Sequence, residues 1–174
     1  GKEKYLTVCF DKKECLKKPF KDILIDNSIN WQMRQKEFLV QNYKKTPFFE
    51  EVWDMIDFVF YKKYNFLIDA LYDTIEIERN SFDITTEIIL QSDIDYPRNT
   101  SRNEMLIEIC KAVNANIYLS GNGAKKYMDL DEFQRNGIEV EYQKFTYPCY
   151  QQQCAFVSNL SGLDILFQCG KNES

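Results

Sequence analysis

The run Asn116-Ile117-Tyr118-Leu119-Ser120-Gly121-Asn122-Gly123-Ala124 starts as an apolar, β-branched strand, turns on two glycines and opens into a helix-forming stretch. Short helices are expected over Ala124–Met128 and Asp131–Arg135, with Gly137 as the C-terminal cap of the second. Ile138–Tyr142 then alternates apolar and polar residues as a half-buried strand does. Upstream, Glu104–Val113 has helical spacing, with Leu106, Ile107, Cys110 and Val113 inward, and Glu87–Leu90 reads as a short buried strand. Strand, helix, strand, helix, strand at this spacing predicts right-handed βαβ units and a parallel sheet.

The N-terminal half has a different rhythm. Tyr5–Phe10 and Ile23–Asp26 read as strands, followed by a helix over Trp31–Lys44 that Asn30 or Ser28 would cap. Trp31, Gln35, Phe38, Leu39 and Asn42 share one face of that helix. Pro47 suits the first turn of the next helix, where Phe48, Val52, Met55, Ile56 and Val59 make an amphipathic stripe. A third helix is expected over Phe66–Ile77, with Phe66, Leu67, Ala70, Leu71 and Thr74 inward, and a last short one within Leu160–Gly170. The expected fold class is α/β: a parallel-sheet core of βαβ units with an added layer of helices over roughly residues 31–80, as a single domain spanning 1–174.

A chain of 174 residues can bury about 70% of its unfolded surface, so it folds without disulfides or a structural metal. The 22 basic and 27 acidic residues leave a net charge of −5, and the short lysine clusters are balanced by nearby acids. That pattern argues against a nucleic-acid partner, which selects for a basic face. No apolar run approaches the length of a membrane span and no signal peptide is evident, so a cytoplasmic location and reduced cysteines are expected. With no histidine and no C-x-x-C pair, a zinc site is not expected, nor is a Ser-His or Cys-His nucleophile. Acid–base chemistry would fall to Asp, Glu, Lys, Tyr or Cys.

Three constellations can carry function. The Ser120-Gly121-Asn122-Gly123 turn lies at the carboxyl end of a predicted parallel strand, where ligands gather and a helix N-terminus favours an anion; the same pattern also suits an unliganded turn. Trp31 with Gln35 and Tyr43 would clamp a planar or sugar ligand, or Trp31 is simply the first core residue of its helix. Ser161 and Asp164 have the spacing of a capping box, and Asp164 can alternatively orient a substrate hydroxyl. Ser92, just past the Ile88–Leu90 run, is a further strand-end candidate.

Tyr118-Leu119-Ser120-Gly121-x-Gly123-Ala124-x-x-Tyr127, then Phe133, Gly137-Ile138 and Val140, resembles the WbqC-like protein family. So do Pro148-x-Tyr150, Phe156 and Leu160-Ser161-x-x-Asp164-x-Leu166-Phe167-x-x-Gly170. Tyr5–Val8, Trp31, Tyr43, Lys44-Lys45-Thr46-Pro47 and Phe48-Phe49 fit it as well. The segments run nearly the whole length in order. The resemblance implies a transferase-like enzyme of bacterial surface-polysaccharide (O-antigen) biosynthesis acting on a sugar or nucleotide-sugar precursor, with a non-catalytic binding module of the same pathway as the alternative. It implies catalytic roles for Asp164 and Tyr127 and ligand binding by Ser120, Gly121, Gly123, Ser161, Trp31, Gln35, Tyr43 and Ser92; the cofactor stays open. Family members typically begin with a strand carrying His-Gln-Pro, place His where this chain has Gln35, and place Pro where it has Cys9. From these departures and the absence of an initial Met we expect a piece lacking an N-terminal segment. The edge of a sheet so shortened would favour homo-oligomers.

Overall fold

A computed structural model describes residues 3–98 and 100–171. Its helices are α1 (Lys12–Cys15), α2 (Trp31–Tyr43), α3 (Phe49–Ile56), α4 (Leu67–Ser81), α5 (Arg102–Ala112), α6 (Leu130–Arg135) and α7 (Gly162–Cys169), and its strands are β1 (Ile117–Ser120) and β2 (Glu139–Tyr142). The residues gather in two compact units, one made of 1–86 with 147–174 and the other of 87–146.

The first unit is helical. Asn30 caps α2 by accepting from the Met33 N–H at 3.2 Å, so of the two predicted caps Asn30 is the one used. On α3 and the 3₁₀ turn that follows it, Val52, Ile56 and Val59 of the predicted stripe are buried while Phe48 and Met55 are half-buried; Phe49 is buried as well, and the buried residues divide between two cores. Leu39, Phe49, Val52, Ile56, Leu166 and Phe167 form one core, which ties α2 and α3 to α7. Ile23, Ile25, Trp31, Val59, Tyr64, Leu67 and Ala70 form the other. Pro47 falls two residues before α3 instead of in its first turn, and Phe66, expected inward, is the exposed N-cap of α4.

The strands expected near the N-terminus form only isolated antiparallel bridges, Phe10 with Ile25 and Leu24 with Phe66. The cause is one-sided burial: Val8, Cys9 and Phe10 pack on the core, whereas Tyr5 and Leu6 face solvent. Beyond Phe10, Asp11 turns the chain into α1 by accepting from the Lys13 N–H at 2.8 Å. A longer ladder has no apolar face left to bury.

In the second unit, β1 and β2 pair in parallel, Ile117 opposite Glu139 and Ser120 opposite Tyr142, with α6 in the crossover. Ser101 and Glu104 form a full capping box at the start of α5. Gly137 (φ 75°) closes α6 in a Schellman motif: the Gly137 N–H donates to Gln134 O and the Ile138 N–H to Phe133 O. Phe133 and Ile138 then meet in a core with Ile107 and Cys110. The expected strand Glu87–Leu90 is extended without a ladder, with Ile89 half exposed, and runs into the 3₁₀ turn Gln91–Asp93. The chain is thus a mixed helix-and-strand protein with a two-stranded parallel sheet among its described residues, which fits the α/β class. No described helix is long and apolar enough to cross a membrane.

Candidate functional site

Ser161 is the N-cap residue of α7, and the first-turn carboxylate of Asp164 lies near the positive end of the helix dipole. The capping box that the spacing suggests is not made, because Ser161 has no side-chain cap bond; its carbonyl accepts from the Asp164 N–H at 3.0 Å. The Asp164 carboxylate instead turns inward, with only 5% of the residue exposed. Oδ1 accepts from the Tyr43 hydroxyl at 2.7 Å and Oδ2 from the Tyr150 hydroxyl at 2.6 Å. One residue from α2 and one from the segment before α7 therefore hold the carboxylate from two sides. Tyr43 is fixed in turn by stacking on Phe167, with ring centroids 4.5 Å apart.

Tyr43 and Asp164 of this cluster form part of the wall of a cavity of about 560 Å³ in the first unit, a volume typical of small-molecule sites. Trp31, Gln35, Tyr43, Ser161 and Asp164, all singled out from the sequence, line it together with Phe38, Thr74 and Glu78. Trp31 is buried and its indole Nε1 has no hydrogen-bond partner among the described residues, the kind of buried orphan that structures rarely keep without cause. Gln35 spends its amide donor on Thr7 O at 2.9 Å, which fixes the extended N-terminal segment beside α2. Burial pushes the Glu78 carboxyl above its usual range.

Burial, followed by hydrogen bonding to Asp164, raises the Tyr43 and Tyr150 hydroxyls far above their ordinary titration range. Tyr64, which donates to Asp73 at 2.6 Å, is raised in the same way by burial and then by Asp73. At neutral pH these hydroxyls are donors and not bases. The unfolded chain loses tyrosine protons near pH 10 while the native chain keeps these three, so this contribution to stability is complete below pH 10 and is lost as the pH rises above it. Absorbance titration of the tyrosines is expected to show Tyr43, Tyr64 and Tyr150 ionising only in a late phase that coincides with unfolding. A single phase completed in the native state would contradict the Tyr–Asp pairing.

Ser92, Ser120, Gly121, Gly123 and Tyr127 belong to the second unit. Ser120 is buried, and its hydroxyl donates to Gly121 O at 3.3 Å. Gly121 and Gly123 have no positive φ, and a Cβ at either would meet nothing within 4 Å. Asn122 ties the turn to Gln143 O at 2.9 Å. Tyr127 is exposed after the 3₁₀ turn Asn122–Lys126, and Ser92 is exposed beside Asp93, to whose carboxylate its hydroxyl donates at 3.0 Å.

Glu78, which lines the cavity, and Tyr150, which holds Asp164, are the residues of this candidate site that sequence reasoning did not select. Tyr150 stands in the Pro148-x-Tyr150 segment, and Glu78 lies one turn past Thr74, which was expected inward but is exposed, on the face of α4 that lines the cavity.

These features define a mixed helix-and-strand protein whose helical unit encloses a cavity walled by an aromatic-clamped carboxylate. The chain belongs to the WbqC-like protein family, whose model matches residues 1–174. No curated protein and no solved structure matches it.

Proposed function

We propose that the chain is a transferase-like protein that binds a sugar precursor of bacterial surface-polysaccharide (O-antigen) biosynthesis in the cavity of its first unit. Family membership supports a role in polysaccharide biosynthesis. The observation that carries the sugar reading is the Asp164 carboxylate held by Tyr43 and Tyr150 in a wall that also bears Trp31 and Phe38. A sugar ring offers C–H faces to aromatic surfaces and hydroxyl donors to a carboxylate, and the cavity presents both. Its charged groups include the acids Glu3, Glu78 and Asp164 against Lys4, a balance that suits a neutral hydroxyl-rich ligand better than a phosphate. In this reading Asp164 orients a sugar hydroxyl as the acceptor of a transferred group.

The alternative, a sugar-binding module without turnover, has its own support. Both tyrosines that reach Asp164 stay protonated well past neutral pH, so they position a ligand and do not abstract its proton. Mass-spectrometric detection of a modified sugar after incubation with nucleotide sugars favours the enzyme; retention of sugar binding with no product favours the module.

A thermal-shift screen tests the common core of both readings with free monosaccharides, nucleotide sugars and inorganic phosphate. A ligand at a hundred times its dissociation constant adds about 2.7 kcal/mol. A monosaccharide shift that disappears in Asp164→Asn is expected. Gly121→Ala probes the second-unit turn separately: with open space and ordinary backbone at Gly121, it should change stability by no more than about 1 kcal/mol. A phosphate or nucleotide-sugar shift lost in Gly121→Ala would assign that ligand to the turn. No shift with any probe would overturn the sugar reading.

A further inference from the structure

Two cavities of the first unit share Asp164. Asp164, Tyr43, Phe38 and Leu160, with Glu3 and Lys4, line the 560 Å³ cavity and also a second one of about 170 Å³. The two differ in chemistry. The larger adds Trp31, Thr74 and Glu78 with the amides of Gln35 and Asn159, whereas the smaller is richer in amides, adding Asn42, Gln152, Gln153 and Gln168 beside Ala155 and Val157.

The smaller cavity has a built wall. Gln152 clasps Val157 at both ends of its amide, with Oε1 accepting from the Val157 N–H at 2.8 Å and Nε2 donating to Val157 O at 3.0 Å. That pair closes the 152–157 turn, and the Tyr150 hydroxyl anchors the segment leading into it on Asp164. Phe156 packs edge-on against Tyr150, with centroids 6.0 Å apart. The turn is therefore organised before any ligand arrives, which lowers the ordering cost of binding.

Asp164 can serve both cavities at once. Each carboxylate oxygen can accept about two hydrogen bonds, and each takes one here, from Tyr43 on Oδ1 and from Tyr150 on Oδ2. Two acceptor positions remain. The smaller cavity has room for one sugar unit but not for a nucleotide, and amide side chains offer both donor and acceptor to hydroxyl or acetamido groups.

We propose that the two cavities are subsites of one site for a ligand of two linked sugar units, one in each cavity with Asp164 shared between them. The proposal rests on the sugar reading above and specifies its ligand as a disaccharide or the end of a longer glycan. On this arrangement the carboxylate lies beside the linkage between units.

The test uses the full chain with glucose and N-acetylglucosamine against lactose and N,N′-diacetylchitobiose, ranked by saturation-transfer NMR and measured by calorimetry. At least one disaccharide is expected to bind tenfold or more tightly than either monosaccharide. Ala155→Trp, an exposed position lining only the smaller cavity, should erase that advantage and leave monosaccharide affinity within twofold. Gln168→Leu should reduce it in the same direction without adding bulk. Thr74→Trp, lining only the larger cavity, should weaken both classes. Monosaccharide and disaccharide affinities that match, or a disaccharide advantage that survives both Ala155→Trp and Gln168→Leu, would overturn the two-subsite proposal and leave the sugar reading intact. Absence of binding by all four sugars would overturn both.

Discussion

Asp164→Ala is expected to cost the first unit about 3 kcal/mol and to abolish sugar binding. The substitution leaves two phenolic hydroxyls, those of Tyr43 and Tyr150, without the acceptor each now reaches within 2.7 Å. A buried donor left unsatisfied costs about 1–3 kcal/mol. Loss of a carboxylate from the first turn of α7 adds about 0.3–1 kcal/mol. Water entering from the adjoining cavities offsets part of this sum, as does removal of the desolvation cost of the carboxylate itself. Asp164→Asn keeps one carbonyl acceptor, and the hydroxyl facing its amide can rotate to accept, so a smaller loss of about 1 kcal/mol is expected. Both tryptophans, Trp31 and Trp53, lie in the first unit, so tryptophan fluorescence during urea unfolding reports on that unit alone. The ordering Ala worse than Asn, with binding lost in both, is the expected result. Equal stability of Asp164→Ala and the parent would mean that the tyrosines do not depend on the carboxylate.

The helices were legible in the sequence because their burial pattern is written at 3.6-residue spacing. Val52, Ile56 and Val59 are buried as that spacing demands, and Gly137 takes the positive φ that a helix C-terminus selects. The strands were less legible, since a run such as Tyr5–Phe10 has β-forming residues but lacks the partners that would make it a ladder. Whether a partner exists is a tertiary fact: Phe10 finds only Ile25, and Glu87–Leu90 finds none among the described residues. The site was legible in part. Trp31, Gln35, Tyr43, Ser161 and Asp164 converge on one cavity, yet Tyr43 and Asp164 are 121 positions apart and no local pattern joins them. Local spacing pointed Asp164 toward a helix cap; two tyrosine donors give the carboxylate stronger inward partners than Ser161 offers outward. Tyr150 entered the sequence reading only through the Pro148-x-Tyr150 match, because its bond to Asp164 depends on where a loop docks.

Gly170→Val is expected to lose about 3–5 kcal/mol, against almost no change for Gly121→Ala. Gly170 ends α7 with φ 76° and ψ −174°, a region that is open to glycine and closed to residues with a Cβ. Forcing another residue there costs about 1–3 kcal/mol. Space adds a second penalty: a Cβ on Gly170 would stand 2.7 and 2.8 Å from ring atoms of Phe48, beside the buried core. Overpacking of this kind costs about 1–3 kcal/mol, and the branched side chain of valine takes it to the upper end. Phe48 cannot withdraw freely, because its side chain packs against the core that joins α3 to α7. Gly170→Ala meets the same backbone strain and the same first contact, so it should lose about 2–4 kcal/mol. The loss should reach the site as well, since Phe167 stacks on the Tyr43 ring whose hydroxyl holds Asp164. Urea unfolding followed by tryptophan fluorescence, with monosaccharide affinity measured at low denaturant, checks both effects. A Gly170→Ala protein as stable as the parent would contradict the left-handed ending of α7. One that is destabilised yet binds sugar normally would show that Tyr43 keeps its place without the Phe167 stack.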